Sequence, residues 1–149
     1  MSLEMECERM REIALFRDLD AAKCKLIAMS SDRLNYVAGD LVFQQGDQSD
    51  SVYFMLRGSV KITKRQDDKE IELAELAGTA VLGETGVICG RARSASIVAL
   101  DDTMMLRTDA NVFKELLHQV PQVAIALARE LANRVDATSE KLFAATQTP

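Results

Sequence analysis

Residues Ser51-Val52-Tyr53-Phe54-Met55-Leu56-Arg57-Gly58-Ser59-Val60-Lys61-Ile62 read as two short strands separated by a turn signal at Arg57-Gly58. Val52, Phe54 and Leu56 share one side of the first strand, and Val60 and Ile62 share one side of the second. The same period-two alternation recurs on both sides of this stretch, at Leu34/Tyr36, Leu41/Phe43, Ile71/Leu73, Ile97/Ala99 and Met104/Leu106. Turn signals separate the runs: Ala38-Gly39-Asp40, Gly46-Asp47, Asp67-Asp68 and Asp101-Asp102. Many short strands at this spacing predict an antiparallel closed architecture rather than a parallel sheet. The expected fold is α+β and mainly β, an eight-stranded β-roll or jelly-roll barrel over about residues 33–107.

Outside this region the period becomes helical. Leu3, Met10, Ile13, Leu15 and Phe16, then Leu19, Cys24, Leu26, Ile27 and Met29, predict two short helices over about 3–29 with a break near Arg17-Asp18. After Arg107, Asp109 is placed to cap a short helix through His118, and Pro121 to start another, because its missing N–H costs nothing in a first turn. No Gly or Pro interrupts the chain from there to Ala145, which allows a helix about 37 Å long at ~1.5 Å per residue. Ala124, Ala128, Leu131, Val135, Thr138, Leu142 and Ala145 follow a coiled-coil seam. That stripe serves either packing on its own domain or self-association. The whole chain, 1–149, is expected to be one domain, with its C-terminal helices over about 109–145.

A chain of 149 residues with 48% hydrophobic and 28% charged residues is sized for one domain with a real core. It shows neither a membrane-spanning stretch nor a secretory leader, so a cytoplasmic location is expected. The three cysteines, Cys7, Cys24 and Cys89, are too scattered for a disulfide framework or a metal-binding pair. With net charge −5, the chain has no general field for a nucleic-acid backbone, and no direct nucleic-acid binding is expected. An anionic ligand would need local cations, which makes individual arginines informative.

Such a locality lies between Ala80 and Leu100. Gly83, Gly86 and Gly90 allow tight bends and close approach to a ligand, and a short helix starting near Glu84 would turn free N–H groups outward. Arg93 follows, with a planar fork that can take two phosphate oxygens. Glu84 would repel a phosphate but can accept from a hydroxyl, and a phosphate beside a hydroxyl describes a ribose phosphate. The residues alone leave a second reading open, in which Arg91 and Arg93 belong to a solvated loop and Glu84 pairs with one of them.

Gly83-Glu84 followed by Arg93-Ser94-Ala95-Ser96-Ile97-Val98-Ala99 resembles the phosphate-binding cassette of the cyclic-nucleotide-binding domain family, the module of the catabolite activator protein and of cyclic-nucleotide-dependent kinases and channels. The glycine pattern Val37-x-Gly39-Asp40-x-Val42 to Gly46-Asp47, and Asp50 to Leu56 with Gly58 and Val60, is similar to that family's strand region, so the likeness runs over roughly residues 12–140. The resemblance implies that Arg93 binds the cyclic phosphate, Glu84 the ribose 2′-hydroxyl, and Gly83, Thr85, Ser94 and Ala95 the phosphate surroundings. Leu82, Thr85 and Ala92 depart from the commonest family residues, which implies weaker binding but removes no ligand-binding group.

The run Thr138-Ser139-Glu140-Lys141 resembles the terminal helix of the catabolite activator branch, where it carries the adenine contacts and the dimer seam. By that resemblance Thr138 and Ser139 read the base, the ligand is cAMP ahead of cGMP, and the chain is a homodimer. Arg134, one turn before Thr138, is placed to reach Glu84 or the phosphate. The expected function is a cyclic-nucleotide-sensing regulatory domain of a transcription regulator or other signalling protein, with no DNA-binding domain in the chain. The alternatives are a ligand-free docking or dimerisation module, or a cGMP-preferring sensor. Catalytic residues, metal ligands and cofactors are expected to be absent, since the single histidine, His118, stands apart from Glu84 and Arg93.

Overall fold

The computed structural model describes residues 1–147. Helix α1 (Leu3–Met10) begins where Ser2 accepts a hydrogen bond from the Met5 N–H at 3.2 Å, and α2 (Ala21–Met29) begins where Asp20 accepts from the Lys23 N–H at 2.9 Å. Between them the chain does not continue α1 as far as Phe16, as the period suggested. It makes a separate 3-10 turn at Ala14–Phe16 that buries Leu15 and Phe16. Glu6 of α1, fully buried, accepts both Nε and Nη2 of Arg33, which ties the N-terminal helix to the first strand.

Eight strands follow: β1 (Asp32–Tyr36), β2 (Leu41–Phe43), β3 (Ser51–Arg57), β4 (Ser59–Gln66), β5 (Lys69–Ala77), β6 (Ala80–Leu82), β7 (Ser96–Ala99) and β8 (Thr103–Asp109). Helix α3 (Glu84–Cys89) lies between β6 and β7, and α4 (Ala110–Gln119) and α5 (Pro121–Gln147) complete the chain. The expected closed barrel is not what forms. The strands make two separate four-stranded antiparallel sheets, ordered β1-β8-β3-β6 and β2-β7-β4-β5, and no strand pairing joins them among the described residues. The edges explain this. β6 spans three residues and stops at Gly83, whose φ of 80° turns the chain into α3. β2 is equally short, and its pairing with β7 shifts register between Leu41 and Phe43. Neither offers enough ladder to bond across to the other sheet.

The chain passes from β3 in one sheet to β4 in the other at Gly58, where φ is 110° and a Cβ would lie 2.6 Å from the Thr103 Cα. Alternation in β3 suggested one buried face, yet both are buried, from Ser51 through Leu56. Val52, Phe54 and Leu56 join the larger core beneath the helices, while Tyr53 and Met55 join a second core between the sheets with Val60, Leu82, Ile97 and Met105. Phe54 meets Phe16 edge-on at 5.0 Å between ring centroids and Phe113 at 6.2 Å.

Asp109 precedes α4, but its side chain makes no cap bond. The Ala110 N–H donates instead to the Asp50 carbonyl at 2.9 Å. Helix α5 starts at Pro121 and packs on the body through Val123, Leu127 and, partly, Leu131. From Ala132 through Thr146 it is exposed, including Val135 and Leu142 at 63% and 64%. The helix therefore divides into a packed half and a projecting half.

Cys7 and Cys24 are buried, and burial pushes both thiols above the usual cysteine range, whereas Cys89 is exposed at the end of α3. A thiol reagent counted by intact mass should add one label per native chain, at Cys89, and three after unfolding in urea. Rapid native labelling of Cys7 or Cys24 would contradict the packing of α1 on α2.

Candidate functional site

A cavity of about 320 Å³ opens beside α3. Gly83, Glu84, Thr85, Arg93, Ser94, Ala95 and Arg134 all line it, so seven of the nine residues expected at the site come together. The other two do not. Thr138 and Ser139 lie on the projecting half of α5, exposed and outside the lining, and the Thr138 hydroxyl donates to the Arg134 carbonyl one turn back at 2.9 Å.

The polar wall comes from the chain reversal at β6. Gly83 takes the left-handed conformation that starts α3, which leaves Glu84 at the first helical position. The Glu84 carboxylate is buried and accepts from Arg134 Nη1 at 2.8 Å, a bond from α3 to α5. The paired-loop alternative made Arg91 or Arg93 the partner of Glu84. The partner is the helix-borne Arg134.

Arg93 is only 5% exposed. Nη1 donates to the Gly83 carbonyl at 2.8 Å and Nη2 to the Ser51 carbonyl at 2.6 Å, while the guanidinium carbon stands 4.2 Å above the Phe43 ring. The Asp50 carboxylate, 3.9 Å away, is shared with Arg107 at 3.4 Å. Burial pushes the Arg93 guanidinium below the usual arginine range, against the pull of Tyr53, Asp50 and Asp47. Arginine still keeps its proton at any physiological pH.

Phe43, Ile62, Leu76 and Ile97 form the apolar side of the cavity. The alternation of β2, β4 and β7 marked three of them as inward-facing. Nothing in the sequence distinguished a residue facing a cavity from one facing a filled core. The chemistry on offer is a fixed cation, a buried carboxylate, a hydroxyl at Ser94 and an apolar wall, which suits a small amphiphilic anion bearing a hydroxyl. Among the described residues no cluster of His, Cys, Asp and Glu could hold a metal ion.

Gly83 has no room for a side chain, since its φ is 80° and a Cβ would overlap Arg93 Nη1 and stand 3.3 Å from the Phe43 ring. Gly83→Ala should cost about 1–2 kcal/mol for the left-handed backbone, more once Arg93 is displaced, measured as a lower urea midpoint. An unchanged midpoint would mean that the turn relaxes freely.

The sequence profile of the cyclic nucleotide-binding domain matches residues 33–120. A family relative in Mycobacterium tuberculosis, an uncharacterized NTE family protein, is 28% identical over 123 residues, covering 83% of this chain and 21% of that protein. The cAMP-dependent protein kinase type II regulatory subunit of Drosophila melanogaster is 33% identical over 84 residues, covering 56% of this chain and 22% of that protein. The chain thus spans about a fifth of the length of these curated relatives. Among solved structures, the Thermus thermophilus catabolite activator protein superposes with a TM-score of 0.80 at 29% identity, over 89% of this chain and 63% of that one. With the profile spanning more than half its length, the chain belongs to the cyclic-nucleotide-binding domain family, a family of ligand-sensing regulatory modules rather than enzymes.

Proposed function

We propose that this chain senses cAMP in preference to cGMP in the cavity beside α3, and passes the binding event on through α5. The observation that carries the reading is that Glu84, Arg93, Ser94 and Arg134, drawn from α3, the loop before β7 and α5, line one small cavity with an apolar far wall. Arg93 contributes the phosphate-binding cation. Its fork donates to two neutral carbonyls, and a phosphate offers stronger, charge-assisted acceptors at a small side-chain rotation. Glu84 takes the ribose 2′-hydroxyl, Ser94 adds a hydroxyl, and Gly83, Thr85 and Ala95 shape the cradle around the ring.

The Glu84–Arg134 bond gives α5 a direct hold on the cradle. A ligand that engages Glu84 alters what Arg134 can bind, and so shifts the population of α5 positions. Thr138 and Ser139 read the base from a second copy, a role supported by their being exposed and outside the lining of their own chain's cavity. The exposed stripe of Val135, Thr138 and Leu142 supplies the seam of a homodimer. The acidic charge balance argues against direct nucleic-acid binding, and no described helix is long and apolar enough to cross a membrane. A cytoplasmic single domain working inside a transcription regulator or other signalling protein fits these features.

Calorimetric titration with cAMP, cGMP and 5′-AMP tests the ligand. cAMP should bind tightest and be recovered unchanged, and Arg93→Ala should weaken it by roughly 10- to 150-fold, the equivalent of about 1.5–3 kcal/mol for a hydrogen bond to a charged group. Retained affinity in Arg93→Ala would place the phosphate elsewhere, and absence of all binding would favour a docking module. Thr138→Ala tests base reading. It should raise the cAMP dissociation constant and barely move that of cGMP, and equal losses would remove Thr138 from recognition.

A further inference from the structure

Gly86 sits inside α3 and lines the cavity along with Gly83, but its φ is not positive. Backbone conformation therefore gives no reason for glycine there, while glycine in a helix costs about 1 kcal/mol relative to alanine. The reason lies in what crosses it. A Cβ at Gly86 would collide with the Ser49 hydroxyl and crowd the Ser49 Cβ at 3.0 Å and the Arg91 carbonyl at 3.1 Å. Ser49 belongs to the loop between β2 and β3 and does not line the cavity.

That loop grips the segment leading into Arg93 at several points. The Ser49 hydroxyl donates to the Arg91 carbonyl at 2.5 Å, and the Arg91 N–H donates to the Gly86 carbonyl at 2.9 Å. The Arg93 N–H donates to the Asp47 carbonyl, and the Gly46 N–H to the Arg93 carbonyl, both at 2.8 Å. The Gln45 N–H reaches the Ser96 hydroxyl at 2.8 Å. Asp47 keeps the loop closed by accepting from the Gln44 N–H at 3.0 Å. Of these ties, the one from Ser49 is the side-chain bond that lands on the turn between α3 and Arg93.

We propose that Ser49 is a positioning residue for the phosphate cradle: seated in the notch that Gly86 leaves open, it fixes the Arg91 peptide and so the take-off point of Arg93 and Ser94. The inference rests on the reading of this cavity as the cyclic-nucleotide site. Ser49 touches no ligand and acts through the turn.

Two readouts test it. The first is hydrogen–deuterium exchange by mass spectrometry on the peptide spanning residues 84–95 with no nucleotide added, and the second is the calorimetric dissociation constant for cAMP, on wild type, Ser49→Ala, Ser49→Gly, Gly86→Ala and the Ser49→Gly/Gly86→Ala double variant. Ser49→Ala should speed exchange in that peptide, leave α1 and β8 unchanged, and weaken cAMP about 5-fold, as expected for loss of one neutral hydrogen bond. Gly86→Ala should weaken cAMP at least about 10-fold when Ser49 is present, an overpacking effect. In the Ser49→Gly background, where the notch is vacated, the same change should be neutral within about 3-fold, because coupled neighbours are non-additive. Exchange unaltered by Ser49→Ala, altered exchange with unchanged affinity, or a Gly86→Ala penalty that survives in the double variant would each overturn the positioning role. A wild-type protein that binds no cyclic nucleotide, with the exchange effects intact, would overturn the ligand assignment and leave Ser49 as the brace of the turn.

Discussion

A guanidinium cannot be buried without acceptors, and the arrangement around Arg93 follows from meeting that demand. At 5% exposure its two terminal nitrogens need oxygen, and they find it in the carbonyls of Gly83 and Ser51. Those carbonyls are available because Gly83 ends β6 in a left-handed turn and because Ser51 begins the central strand of its sheet. The face of the cation rests on Phe43, from the opposite sheet. One side chain thereby touches both sheets and the cradle turn. Its inward pose makes it a joint of the fold.

The strands and both groups of helices could be read from period alone, because burial on one face leaves a two- or 3.6-residue trace. Val52, Phe54 and Leu56 carried that trace for β3, whereas in α5 the expected stripe through Ala124 and Ala128 missed the buried face, which is Val123 and Leu127. Tyr53 and Met55 did not, since a strand buried on both faces loses its alternation. Closure of the barrel was illegible for another reason. Whether two edge strands bond depends on their length and register, here three residues at β6 and a register shift at β2, and hydrophobic pattern encodes neither. In the cradle, the residues alone left the joint role of Glu84 and Arg93 open, and the family resemblance brought together two side chains that line one cavity. The Arg134 partner of Glu84 came from helix phase and lies 50 residues away in sequence. Ser49 left no signal, because its importance arises from the missing side chain at Gly86 across a tertiary contact.

Helix α5 shows how one regular element can serve two ends. Its first turns carry Val123 and Leu127 into the core and are fixed by the fold. From Ala132 through Thr146 its residues are exposed, and the polar bond at Arg134 ties this half to the body. The bond joins a half-exposed Arg134 to a buried Glu84. Its value lies in geometry, because it is the place where the projecting half of the helix is attached to the cradle.

Strand β3 has the helical core on one face and the inter-sheet core, with the cavity at its rim, on the other. The two cores are thus separated by the thickness of a single pleated strand. In mechanical terms β3 is a shared partition, and a displacement of Phe54 under the helices is also a displacement of Tyr53 and Met55 beside the cavity. Residues that never approach the ligand pocket can therefore set its dimensions from behind.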